Sequence, residues 1–166
     1  MSKLPAALAL AALCLTMTAC GQSEEAKASL SRSFQKEDLG QTDVSREQAD
    51  CMADGIVDGV GVDQLKEYEV LSDDGTVNEN LGETELSEED ADTVASALVD
   101  CIGAEEIVEA QMLQDQMTEQ QRSCLLDSID ADQLTALIAS GFRGGEPDAD
   151  TEAQMQEDVE ACMKKK

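Results

Sequence analysis

Histidine and tryptophan are absent from the sequence, and its aromatic residues are Phe34, Tyr68 and Phe142. Without histidine the chain lacks the commonest general base near neutral pH and a frequent zinc ligand. It also lacks a glycine-rich phosphate loop and the short motifs of serine hydrolases and metalloproteases. Paired carboxylates could catalyse proton transfer, but among 37 acidic residues such pairs arise by chance. We therefore expect no enzyme, no catalytic residue, no cofactor and no dedicated metal site.

Basic residues are scarce. The sequence contains 11 Lys and Arg and 37 Asp and Glu, which gives a formal net charge of −26. Binding to phosphates requires clustered Lys and Arg, so nucleic acid is excluded as a partner. An anionic membrane surface repels acidic segments, which argues against a helix lying flat on it. The charge indicates a solvated acidic surface, with attraction for cations or a basic partner as the alternative interpretation.

Long apolar runs are limited to residues 4–17, which follow Lys3. This run is too short to cross a bilayer, which takes about 20 residues, but it suits the core of a signal peptide. It ends in Met17-Thr18-Ala19-Cys20, which resembles the bacterial lipobox, where the cysteine becomes the first mature residue and carries lipid. A thiolate is nucleophilic enough to accept a diacylglyceryl group, and two or three acyl chains such as palmitate anchor a protein stably.

The lipobox resemblance predicts a lipoprotein signal peptide over residues 1–19 and lipidation of Cys20. Cys14, inside the apolar run, should leave with the signal peptide. Residues 20–44 are polar and show no sustained hydrophobic period. We interpret residues 20–44 as a lipidated N-terminus followed by a flexible polar tether.

Four further cysteines each follow a helix-start signature, in which Ser or Thr precedes Gln or Asp by three residues. The cysteines are Cys51, Cys101, Cys124 and Cys162. The signatures begin at Ser45, Ser87, Thr118 and Thr151. The first and third cysteines lie six residues after their signatures, and the second and fourth lie 14 and 11 residues after theirs. This order of early, late, early and late cysteines predicts two tandem helix-pair repeats.

A second coincidence supports the repeat. The stretch CMADGIVDGVGVDQL can be laid on CLLDSIDADQL with one gap, which aligns the cysteine, an Asp, an Ile and Asp-Gln-Leu. Apolar residues recur at helical spacing, from Ala49 to Val60 and again at Met155, Val159, Cys162 and Met163. No run alternates as a strand would. We predict an all-α acidic domain over residues 45–163, with repeat one at 45–103, a connecting helix at 104–117 and repeat two at 118–163.

The even number of remaining cysteines favours disulfides in an exported chain. A metal site would need Cys-x-x-Cys spacing or histidine, and a catalytic thiol would need a base such as histidine; the sequence contains neither that spacing nor histidine. In an antiparallel helix pair, the start of one helix lies beside the end of the next. The sequence therefore predicts the disulfides Cys51–Cys101 and Cys124–Cys162, one closing each repeat.

Two other pairings fit less well. Cys101–Cys124 would join the two ends of the connecting helix, about 15 Å apart, whereas a disulfide needs Cα atoms about 6 Å apart. Cys51–Cys124 would join two early positions and leave each repeat open. At about 100° per residue, Cys51 lies almost opposite Ala49 and Met52, the apolar side of its own helix. Either that helix is contacted on two sides, or its first turn departs from regular α geometry.

Acidic loops suggest calcium binding as an alternative. The EF-hand pattern fails around Gly59 and Gly75, because apolar residues occupy ligand positions there. Weaker cation sites in 72–85 or 146–152 remain open, although Asp and Gly are ordinary turn residues.

Leader, tether and cysteine repeats together resemble small acidic lipoproteins of high-GC Gram-positive bacteria. The resemblance implies a cell-envelope protein held at the extracytoplasmic face of the cell membrane by its lipid on Cys20. The expected function is a non-enzymatic binding or structural module, with an envelope protein as its partner. The alternative is an acidic surface protein that binds divalent cations weakly.

Overall fold

The computed structural model describes residues 17–36, 44–78, 85–112, 117–147 and 149–164, with the backbone alone for residues 17–20, 111 and 112. Within these residues the fold is all-α, as predicted, with one isolated antiparallel bridge between Leu71 and Val77. The helices are α1 (Met17–Phe34), α2 (Arg46–Val60), α3 (Val62–Glu67), α4 (Glu88–Ile102), α5 (Ala104–Met112), α6 (Glu119–Ser128), α7 (Ala131–Phe142) and α8 (Ala149–Met163).

Side-chain caps start the helices largely where the sequence predicts. Ser45 and Thr118 each accept from the backbone of a Gln three residues later, whose side chain reaches back to the cap backbone. Asp130 makes the same reciprocal cap at the start of α7, which the sequence analysis did not identify. The cap predicted at Thr151 is wrong, because α8 begins at Ala149, three residues before the expected first helical residue Glu152, and Thr151 lies in its first turn.

The cap of α4 is completed by a tyrosine. Ser87 accepts from the backbone N–H of Asp90, but the Asp side chain is too short to reach back in the usual way. The Tyr68 hydroxyl instead accepts from the Ser87 backbone N–H at 3.1 Å and donates to the Asp90 carboxylate at 2.6 Å. Tyr68 thereby joins the end of α3 to the start of α4.

Helix α1 corrects the prediction of a flexible tether over residues 20–44. Residues 20–34 are helical, and Ala26 and Leu30 are buried in a core cluster with Leu65 and Leu71. Ala26, Leu30 and Phe34 form a single narrow stripe at i+4 spacing, which the polar residues around it hid from the periodicity analysis. Residues 37–43 of the predicted tether lie outside the described residues.

Polar contacts also attach α1 to α2. The Lys27 ammonium lies 2.8 Å from Asp58 and 3.3 Å from Asp54, and the Ser31 hydroxyl donates to Asp50. The hydrogen bond to Asp58 is the main cause that raises the pKa of Lys27 above its usual value. Because Lys27 is only 18 % exposed while both carboxylates are largely exposed, its stem packs between the helices and its charge meets the acidic edge of α2.

Helices α2 and α4 approach each other closely along an antiparallel contact. Cys51 meets Cys101 at one end, and an ideal Cβ built on Gly55 would lie 3.0 Å from the Cβ of Ala97 one turn further along. After another turn Gly59 lies against Thr93. Since α1 packs on a different side of α2, this helix is contacted on two sides, which accounts for the position of Cys51.

Helix α4 is the central element, because it contributes to all three core clusters. Val94 and Ala97 pack with α1, α2 and α3, whereas Val99 packs with α5, α6, α7 and α8. On another side, Ala91 and Ala95 pack against Ala139 of α7. The two disulfide-closed parts therefore share one continuous domain instead of forming separate ones.

We expect Gly59→Ala to destabilise the fold, although replacing a glycine inside a helix usually stabilises it by about 0.5–1 kcal/mol. The added Cβ would overlap Thr93 Cγ2, and overpacking of this kind costs about 1–3 kcal/mol. Urea denaturation measures the change in free energy of unfolding.

Two further variants identify the cause. Thr93→Ser removes the opposing methyl group and keeps the hydroxyl, which donates to the Glu89 carbonyl, so it should rescue Gly59→Ala. Gly141→Ala, in α7 with open space around its Cβ, should stabilise. Destabilisation by Gly59→Ala that persists in the Thr93→Ser background would contradict the contact.

Candidate functional site

The predicted disulfides are both present, Cys51–Cys101 with Cα atoms 5.7 Å apart and Cys124–Cys162 with Cα atoms 5.5 Å apart. The first joins the beginning of α2 to the end of α4, and the second joins α6 to the end of α8. Each links an early to a late position of antiparallel helices, as the spacing predicts. Of the connecting helix predicted at 104–117, the structure describes α5 over Ala104–Met112. Residues 113–116 lie outside the described residues, and Met117 is not helical.

The disulfides differ in their surroundings. Cys51 is exposed and Cys101 is half-buried, so the first disulfide lies at the surface at one end of the α2–α4 contact. Cys162 is 1 % exposed and belongs to the core cluster that includes Leu125 and Leu134. The Ser128 hydroxyl lies 3.6 Å from the Cys162 sulfur. A reductant in solution therefore meets the first disulfide more easily than the second.

The backbone of Cys20 belongs to α1, but its side chain lies outside the described residues. Lipidation of Cys20 accordingly stays a prediction, as does the signal peptide over residues 1–19. In the part of the chain that the structure describes, no helix combines the length and the apolar character that crossing a membrane would require.

A search of the described residues finds no group of three or more His, Cys, Asp or Glu side chains placed to hold a metal ion. In the acidic loop at 72–76, the Asp74 carboxylate accepts hydrogen bonds from within the loop. Asp74 accepts from the hydroxyls of Ser72 at 2.5 Å and Thr76 at 2.7 Å, and from the Thr76 backbone N–H at 3.1 Å. These bonds, led by that from Ser72, lower the pKa of Asp74 to about 2. Residues 79–84 and 148 of the two proposed cation regions lie outside the described residues.

A shallow acidic groove of about 520 Å³ runs beside the α2–α4 contact. Gly55 and Ala97 form its floor, and Glu89, Asp92 and Asp100 of α4 line it. The carboxylates follow one helix instead of converging on a point, and Asp92 and Asp100 are exposed to solvent. This arrangement is typical of a solvated helix face.

A second groove, of about 540 Å³, lies between α7 and α8 and is largely apolar. Leu137, Met155, Val159 and Met163 line it, with Glu152, Gln156 and Glu160 along the α8 side and Pro147 and Thr151 at one end. Met155, Val159, Cys162 and Met163 recur at helical spacing, as the sequence predicts. Cys162 and Val159 belong to the core cluster, whereas Met155 and Met163 line the open groove.

Comparison with known proteins finds no protein family, curated protein or solved structure that matches this chain. The functional argument therefore rests on the residues and contacts of the chain itself.

We expect the Cys51–Cys101 disulfide to be reduced before Cys124–Cys162. Disulfide exchange requires a thiolate of the reductant to reach a sulfur atom of the disulfide, and burial of Cys162 hinders that approach. Graded treatment with dithiothreitol at neutral pH, followed by alkylation and peptide mass spectrometry, gives the order. Early alkylation of Cys124 and Cys162 with the other pair intact would show that burial does not control access.

We expect Asp74 to titrate with a midpoint near pH 2 in the folded chain, below its ordinary 3.8. Because the folded pKa is depressed, the stability that the ionised carboxylate gives the loop is complete above about pH 4 and is lost as the pH falls through about 2. Carboxyl carbon shifts in NMR report this titration. Ser72→Ala should raise the midpoint toward 3.8, and an unchanged midpoint would show that the Ser72 hydroxyl is not the main cause.

Proposed function

We propose that the protein is a lipoprotein of the cell envelope, anchored through Cys20 at the extracytoplasmic face of the membrane. Its helical domain acts as a non-enzymatic binding or structural module. Lys3, the apolar run at residues 4–17 and the Met17-Thr18-Ala19-Cys20 stretch support the anchor, because together they have the charge, length and cysteine that lipid attachment requires.

Paired cysteines are the observation that carries the extracytoplasmic location. All four cysteines with described side chains are in disulfides, and disulfides persist mainly in oxidising compartments. Closing loops with sequence separations of 50 and 38 residues stabilises the fold by about 4 kcal/mol each as an upper guide. A domain whose core contains few aromatic residues benefits from such cross-links.

The proposal includes the tandem repeat. Its two copies are the helix pairs α2 and α4, and α6 and α8, each closed by one disulfide. The shared Asp-Gln-Leu lies in α3 of the first copy and in α7 of the second, so each copy includes a middle helix. The middle helices differ in length, six residues in α3 and 12 in α7, and α7 packs on α4 of the first copy.

Helix α1 determines how such an anchor would hold the domain. Cys20 precedes the buried Ala26 by six residues, about 9 Å along a helix. The lipid would therefore be joined to the folded domain by less than two turns of helix instead of by a long tether. In this proposal the domain stays next to the membrane and presents its binding surface to neighbouring envelope proteins.

We expect Cys20→Ala to abolish lipidation and to leave the chain either released from the membrane fraction or retained with its leader uncleaved. Cys14→Ala, which changes the cysteine inside the apolar run, should leave lipidation and membrane association unchanged. Labelling with a palmitate analogue, membrane fractionation and mass spectrometry of the mature N-terminus measure these outcomes. A soluble wild-type chain that begins at another residue would overturn the proposal.

A further inference from the structure

The second groove leaves an apolar surface of α8 uncovered within the described part of the chain. Met163 is 47 % exposed, which makes it the exposed residue among the large apolar residues whose side chains the structure describes. Met155 and Val159, which are both half-buried, precede it at i+4 spacing, so the three side chains form one stripe along the helix that is most exposed at Met163. From Met155 to Met163 the stripe extends about 12 Å, which is the length of about two helical turns.

The C-terminal end of α8, which forms one wall of this groove, is attached to α6 by two contacts. The disulfide Cys124–Cys162 joins α8 to α6 one residue before Met163. The Gln121 side chain, which also caps α6, donates to the Met163 backbone carbonyl at 2.9 Å. Both contacts leave the methionine side chains untouched, so the groove is preorganised and its lining can be changed without disturbing its support.

Charge determines what this surface can accept. Glu152 and Glu160 lie along the α8 side of the groove, with Gln156 between them at the same i+4 spacing. Helix α8 contains no Lys or Arg, and Lys164 after its end pairs with Glu160 at 2.7 Å. A second copy of this acidic chain would bring like charges together, and an anionic membrane surface would repel the rim. A basic partner is complementary to it.

The proposed repeat indicates the shape of the partner. When α4 and α8 are aligned by Cys101 and Cys162, Ala91 and Ala95 of α4 correspond to Glu152 and Gln156 of α8. On α4 the two alanines are covered by helix α7. A partner helix packed on α8 would occupy the position that α7 occupies on α4. It would contact the Glu152 carboxylate and the Gln156 amide where α7 contacts the methyl groups of the two alanines.

We infer that the groove between α7 and α8 binds a basic amphipathic helix of a partner protein. Its apolar face packs on Leu137, Met155 and Met163. The flexible thioethers of the two methionines adapt to different side chains. Its Lys and Arg side chains pair with Glu152 and replace Lys164 at Glu160. The inference rests on the proposed binding role and is independent of the lipid on Cys20, so loss of peptide binding would leave the anchoring result intact.

The probe is a synthetic amidated peptide of about 14 leucines and lysines, with leucine at helical spacing so that one face is apolar. A scrambled peptide of the same composition controls for attraction by the net charge of −26. Calorimetric titration of the full chain, with both disulfides formed, should show the ordered peptide binding at least about tenfold more tightly than the scrambled one.

Two pairs of substitutions assign this binding to the groove. Met155→Gln with Met163→Gln should remove the preference for the ordered peptide, because the apolar contact is lost. Glu152→Gln with Glu160→Gln should weaken binding several-fold and reduce its dependence on salt. The matched control, Asp92→Asn with Asp100→Asn, makes the same change of charge in the other groove and should alter affinity by less than about twofold.

Several outcomes would overturn the inference. Equal affinity for ordered and scrambled peptides, or equal losses in the two charge variants, would show attraction to the acidic surface as a whole. A dimer in sedimentation analysis that becomes a monomer on Met155→Gln with Met163→Gln would make the groove an interface between copies. Binding to phosphatidylcholine vesicles that is lost in the same variant would make it a lipid contact. An unchanged thermal transition of each variant shows that folding is intact.

Discussion

The close approach of α2 and α4 is the constraint on which the rest of the structure depends. It requires residues with little or no side chain at successive turns, Gly55 and Gly59 on α2 and Ala97 opposite, because larger ones would hold the helices apart. At this separation Cys51 can reach Cys101, so packing and disulfide support each other. With α4 held in the centre, its remaining sides are free to contact α5, α7 and the core cluster around α6 and α8. The glycines cost helix propensity, which the contact and the covalent bond offset.

Small side chains dominate the core for a related reason. With so few aromatic residues, the interior is built from Ala, Val, Leu, Ile and Met, each of which buries less area than an aromatic ring. Ala49, Ala91 and Ala139 are fully buried and allow backbones to approach, but they contribute little apolar area. Stability therefore depends more than usual on local devices: reciprocal caps, the Tyr68 bridge between α3 and α4, and two disulfides that reduce the entropy of the unfolded chain.

The parts of the fold that the sequence could predict are those with local signals. Caps depend on residues three apart, and the cysteine pairing follows from distances along helices, so both were accessible without a structure. Helix α1 could not be predicted from the sequence, because its stripe of Ala26, Leu30 and Phe34 is too narrow to be recognised in a polar segment. The groove on α8 was missed for the opposite reason. Met155 and Met163 have the spacing of core residues, and only the positions of the neighbouring helices show that they line an open groove.

The contact between α1 and α2 shows how a helix packs on an acidic helix in this chain. Asp50, Asp54 and Asp58 form a stripe at i+4 spacing along α2, beside apolar residues that include Ala53 and Val57. Helix α1 places Ala26 and Leu30 on the apolar side and directs Lys27 and Ser31 to the carboxylates. Glu152 and Glu160, with the neutral Gln156 between them, follow the same i+4 spacing on α8 beside Met155, Val159 and Met163. A carboxylate stripe beside an apolar stripe repels most surfaces of the same chain but accepts a helix that carries apolar residues and a cation together, because both are then satisfied at once. Within the described fold, the carboxylates of α2 are therefore part of a helix–helix contact as well as of the solvated surface.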